Sequence, residues 1–158
     1  MSDTHGMERR TLLTTFAAMS VGGAALLGNE TAVGAASRSA SEEANVQVVT
    51  DFCNAWSTRD INKALPFLTE DCVYRMTETT PPAQGHAGII ERLKQTVETS
   101  SLVEFRILDT AAAGPIVINH RIDRFQTARP LTWEGVGVFF LKDGKIKEWS
   151  DYTIRVQR

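Results

Sequence analysis

Two short stretches carry side chains that could move protons. In "NHRIDRF", Arg121 and Asp123 stand two residues apart, and in "EWSDY", Trp149 and Asp151 do the same. On extended backbone, side chains alternate between faces, so each pair shares one face of its strand. An arginine beside Asp123 can neutralise it and still reach a second carboxylate, and Asp151 is the natural candidate. Two carboxylates held in different protonation states supply a general acid and a general base, each positioned transfer being worth about 10²- to 10⁴-fold. The competing arrangement is a solvated cross-strand ladder of ion pairs on an exposed sheet face.

Those residues need a sheet to bring them together. Asp143-Gly144, between "LTWEGVGVFFLK" and "KIKEWSDYTIRV", is a two-residue hairpin signal. Counted from that turn, Trp149 falls opposite Val138 and Asp151 opposite Val136. This gives the carboxylate an apolar wall of Val136 and Val138 and the conditions for an unusual pKa. "LVEFRILDTAA" and "IVINHRIDRF" supply two more strands with period-2 patterning. Upstream the period is 3.6. Val46, Val49, Cys53 and Trp56 predict an amphipathic helix over Ser41–Ser57, Asp60 caps a second short helix carrying Ala64, Leu65, Phe67 and Leu68, and Ile89, Ile90, Leu93 and Val97 mark a third. The strand "CVYRM" lies between the second and third. The expected class is α+β: a strongly curved mixed or antiparallel sheet with three N-terminal helices folded across an apolar, cone-shaped cavity.

A length of 158 residues suits one domain with a leader. Arg9-Arg10, a weakly apolar run to Leu27 and the small residues Val33-Gly34-Ala35 read as a twin-arginine export signal over 1–36, with the domain at 37–158. The protein is therefore expected to be periplasmic or secreted, with no stable membrane span after processing. The formal net charge is −2, and no basic stripe stands out, which argues against nucleic acid as a partner. Cys53 and Cys72 are expected to be two buried free thiols. His86 and His120 have no partners at metal-ligand spacing, so no metal site is expected. Gly135-x-Gly137 lies inside a strand and reads as a close-packing point.

Taken together, "FCNAWSTRD", "FLTEDCVY", "HRIDRF" and "GVGVFFLKDGKIKEWSDY" resemble the limonene-1,2-epoxide hydrolase family. That family lies within the nuclear-transport-factor-2-like superfamily, which also holds ketosteroid isomerases and polyketide cyclases. The resemblance runs from Val46 to Tyr152. It implies cofactor-free hydrolysis of a small to medium apolar epoxide, with Asp123 as general acid, Asp151 as the base that activates water, and Arg121 between them. By the same resemblance Tyr74 helps to hold the water, Trp149 lines the pocket beside the base, and the protein pairs as a homodimer. Met76 occupies the position of a water-holding asparagine; Thr77, Glu78 and Asn119 are candidates to replace it. Two other uses of such a cavity are non-catalytic binding of an apolar ligand and isomerase or cyclase chemistry.

Overall fold

A computed structural model describes residues 37–157; the leader read at 1–36 lies outside the described residues. The first helix, α1 (Ala40–Ala55), starts at a capping box in which the Ser39 hydroxyl accepts from the Glu42 amide and the Glu42 carboxylate accepts from the Ser39 amide. Its apolar stripe buries Val49, Phe52 and Cys53. Asn45 donates to the Gly114 carbonyl and Glu42 accepts from the Gly114 amide, fixing the start of α1 against the sheet.

The second helical segment departs from expectation. Instead of a short α-helix, the chain makes three successive 3₁₀ turns, Trp56–Thr58, Ile61–Lys63 and Leu65–Phe67. Pro66 removes an amide donor and Arg59 adopts a positive φ of 58°, so no continuous i→i−4 ladder can form. Asp60 does cap, accepting from the Asn62 amide. After β1 (Leu68–Arg75) and the short β2 (Ala83–Gln84) comes α2 (Gly85–Thr99), which buries Ile89, Leu93 and Val97.

The C-terminal half forms β3 (Val103–Ala113), β4 (Ile116–Phe125), β5 (Leu131–Lys142) and β6 (Lys145–Gln157). The six strands order as β2-β1-β6-β5-β4-β3, with β1 parallel to β6 and the other neighbours antiparallel. Asp143 (φ 51°) and Gly144 (φ 73°) make the expected tight turn between β5 and β6, both in the left-handed region that such turns require. Cys53 and Cys72 are buried and unpaired, as expected, and burial pushes both thiols up to about 12.

The register after that turn differs from the count. Lys142 pairs with Lys145 and Leu141 with Ile146, but a bulge then leaves Lys147 as an extra residue, so that Phe139 faces Trp149 and Gly137 faces Asp151. The inward residues of β5 are therefore Gly135, Gly137, Phe139 and Leu141. Val136 and Val138 stand on the other face and do not line the pocket, which corrects their assignment to it.

Candidate active site

Arg121 bridges the two aspartates. Its Nε donates to both oxygens of Asp123, at 2.9 and 3.1 Å, and its Nη2 donates to Asp151 Oδ1 at 2.7 Å. Arg121 is 0% exposed, Asp123 4% and Asp151 6%, so this is a core constellation and the exposed-ladder alternative falls. The arrangement follows from the strands. Val117, Asn119, Arg121 and Asp123 are the buried alternate residues of β4, and the bulge on β6 turns Trp149 and Asp151 to the same side.

Asp151 accepts three hydrogen bonds. Besides Arg121, Trp149 Nε1 donates to Oδ1 at 2.8 Å and the Tyr74 hydroxyl donates to Oδ2 at 3.2 Å. Tyr74 and Trp149 are register partners across the parallel β1–β6 pair, and their rings stack with centroids 3.8 Å apart. One lone pair of Oδ2 remains able to receive a proton. Aromatic faces enclose the guanidinium: its central carbon lies 5.0 Å from the Trp133 ring centroid, 5.3 Å from Phe105 and 5.8 Å from Phe139.

The aspartates open onto a cavity of about 300 Å³. Its walls include Trp56, Phe105, Phe125 and Trp133 together with Tyr74, Met76 and Trp149, which suits an apolar ligand with polar groups gathered at one place. Met76 is thus on the wall, where a thioether offers no strong partner to a water molecule. Of the three possible replacements, Thr77 lines the same cavity. Glu78 instead accepts from the Thr153 amide, and Asn119 is buried behind Arg121, and neither lines the cavity. His120 lies on the outer sheet face against Glu134. Among the described residues no group of three or more His, Cys, Asp or Glu side chains converges as a metal site would need.

Comparison with known proteins establishes the family and the fold. The SnoaL-like domain pattern matches residues 49–149, most of the described residues. The chain belongs to the SnoaL-like domain family. An LEH-like epoxide hydrolase from M. tuberculosis is 25% identical, with a TM-score of 0.58 over 71% of this chain and 84% of that one. SalBIII, an epoxide hydrolase/cyclase-like enzyme with a role in pyran ring formation in the polyether salinomycin, is 17% identical, with a TM-score of 0.64 over 71% and 92%. An NTF2-like protein from Burkholderia pseudomallei is also 17% identical, with a TM-score of 0.61 over 70% and 90%. The curved α+β fold of the superfamily is the fold of this chain.

In this SnoaL-like domain two buried carboxyls share one cation, so the low-energy state is the one in which a single carboxyl is ionised. Burial raises Asp123 to about 7, partly offset by Arg121 and reinforced by the charge of Asp151. Burial also raises Asp151, against the opposing pull of Arg121, Trp149 and Tyr74. Asp151 has donors from three residues and Asp123 from one, which places the negative charge on Asp151 and the proton on Asp123. Burial holds the Tyr74 hydroxyl well above its ordinary value, so it stays protonated as a donor to that charge.

Proposed function

We propose that this domain hydrolyses a small to medium apolar epoxide to a diol in one step. The observation that carries the reading is the Arg121 bridge between two buried, differently hydrogen-bonded aspartates at the wall of an apolar cavity. Asp123 gives its proton to the epoxide oxygen, the C–O bond breaks, and water attacks the ring carbon. Asp151 takes the proton that the water loses. Arg121 stays charged throughout, because the negative charge held by the Asp123–Asp151 pair beside it more than offsets its burial. Residues of the cone supply both proton transfers, and the reading assigns no step to a cofactor. The 25%-identical epoxide hydrolase supports it at superfamily level. A panel of epoxides with diol formation as the readout tests it. Activity should be bell-shaped in pH, falling on the alkaline side as Asp123 loses its proton near 7 and on the acid side as Asp151 gains one. A flat profile across pH 5 to 9 would remove the acid/base pair.

Met76 supports a second reading, cyclisation, in which a hydroxyl of the substrate replaces water as the nucleophile. The same two aspartates then serve, and no water needs a holder. Met76→Asn separates the two. For a hydrolase it should preserve or raise turnover, because an amide joins Tyr74 at the water, while Tyr74→Phe should lower turnover substantially. For a cyclase, Met76→Asn should divert product from the ring to the diol. A non-catalytic binding protein would give no product from any variant, and a buried unpartnered amide would weaken its ligand by about 1–3 kcal/mol.

We propose two further properties of the chain. Arg9-Arg10 directs export by the twin-arginine route, giving a periplasmic or secreted protein; export that persists when both are replaced by Lys would refute this. Two copies pair through the outer sheet face, where Ile116, Ile118, Phe140 and Tyr152 are exposed beside Val136 and Val138. Sedimentation should show a dimer that Ile118→Glu splits, and a monomeric wild type would contradict it.

A further inference from the structure

One row of register partners runs across the three central strands: Asn119 on β4, Gly137 on β5 and Asp151 on β6. The Arg121 side chain crosses this row. A Cβ added at Gly137 would lie 1.9 Å from Arg121 Nη1 and 2.8 Å from Asn119 Oδ1, so the guanidinium and the amide both rest directly above the glycine backbone. Arg121 Nη1 donates to Asn119 Oδ1 at 3.1 Å. A guanidinium has no acceptor, so the amide must present its oxygen there and turn its NH₂ group away. That group points at Cys53 Sγ on α1, 3.7 Å distant, and Asn119 is 0% exposed.

We infer that Asn119, oriented by Cys53 and seated over Gly137, is a positioning residue that fixes the rotation of the Arg121 guanidinium so that its fork is divided between two carboxylates. The division is not what the fork would choose alone. Nε and Nη2 form the edge that binds one carboxylate in bidentate fashion, and Asp123, two residues along the same strand and already held by Nε, is placed to take both. Holding Nη1 against Asn119 keeps Nη2 on Asp151 instead. Released from Asn119, the guanidinium closes on Asp123 and gives up Asp151. The proton then becomes easier to remove from Asp123 and harder to remove from Asp151, which brings the two carboxyls together when catalysis needs them apart.

The inference deepens the acid/base reading and rests on it for its kinetic arm. Asn119→Leu keeps the size and removes the acceptor. It should lower kcat about tenfold or more, a loss expected of a small misplacement within a catalytic group. KM should change less than threefold, and the two limbs of the pH profile should move toward each other. Asn119→Asp restores an acceptor oxygen and adds a charge, so it should recover the separation of the limbs with both displaced to higher pH. Carbon-13 signals of labelled aspartate carboxyls follow the same two titrations without substrate, so the inference is tested even if no epoxide is turned over. Unchanged carboxyl titrations in Asn119→Leu would overturn it, whatever happens to kcat. If Asn119→Leu does not fold, carboxyl titrations in Asn119→Asp that lie closer together than in the wild type would overturn it equally.

Discussion

Asp123→Asn and Asp151→Asn should each lower turnover of the best epoxide by about 10³-fold or more while the protein stays folded, as expected for loss of a positioned proton transfer. Asparagine keeps the planar shape and one oxygen of each carboxylate. In Asp123→Asn the Nε donor of Arg121 still finds an acceptor, but the group has no acidic proton to give to the epoxide oxygen. In Asp151→Asn the oxygen can still accept from Arg121 and Trp149, but the amide cannot take a proton from water. The two losses should not add in the double variant, because acid and base act in one concerted step. Circular dichroism and a thermal melt establish folding, and turnover at pH 7 is the measurement. Near-normal activity in either variant would mean that the carboxylate it lacks is not catalytic.

Gly137→Ala should be nearly as damaging, by a different route. One methyl would stand 1.9 Å from Arg121 Nη1 and 2.8 Å from the Phe139 ring, distances that no real contact allows. The backbone cannot retreat, since β5 is hydrogen-bonded to β4 on one side and β6 on the other. The guanidinium has to leave its place, and it is fully buried with two carboxylates depending on it. Overpacking of this kind costs about 1–3 kcal/mol of stability, and displacement of the bridging arginine should lower turnover by about 10²-fold. A urea midpoint and kcat on the same preparation check both. A variant that keeps the wild-type kcat would show that Arg121 tolerates another position.

Much of this site was legible in the sequence because period-2 alternation determines which residues can meet. Arg121 with Asp123, and Trp149 with Asp151, were placed on shared faces by spacing alone, and Asp143-Gly144 marked the correct turn. The facing partner of Asp151 was not legible. An uninterrupted count from the turn gave Val136, an apolar residue that fits the idea of a buried wall. The bulge at Lys147 shifts the pairing by one and brings Gly137 opposite instead. The available signal was steric: a buried arginine on the neighbouring strand needs open space above the sheet, and only the glycine face of "EGVGVF" provides it. The place of Asn119 is hidden in the sequence for a related reason. Its side chain shares a face with Arg121, but only the packed arrangement shows that Arg121 and Cys53 occupy both ends of its amide. The string of 3₁₀ turns at Trp56–Phe67 escaped the helical pattern because its apolar spacing is equally consistent with an interrupted path.

In the proposed hydrolysis Asp151 activates a water molecule for direct attack while Asp123 protonates the leaving oxygen. A single turnover in ¹⁸O-water, with enzyme in excess over epoxide, tests this most directly. The first diol released should carry one ¹⁸O atom from solvent at the attacked carbon. A first diol without label would mean that an enzyme carboxylate attacked and gave up its own oxygen, contradicting the role assigned to Asp151.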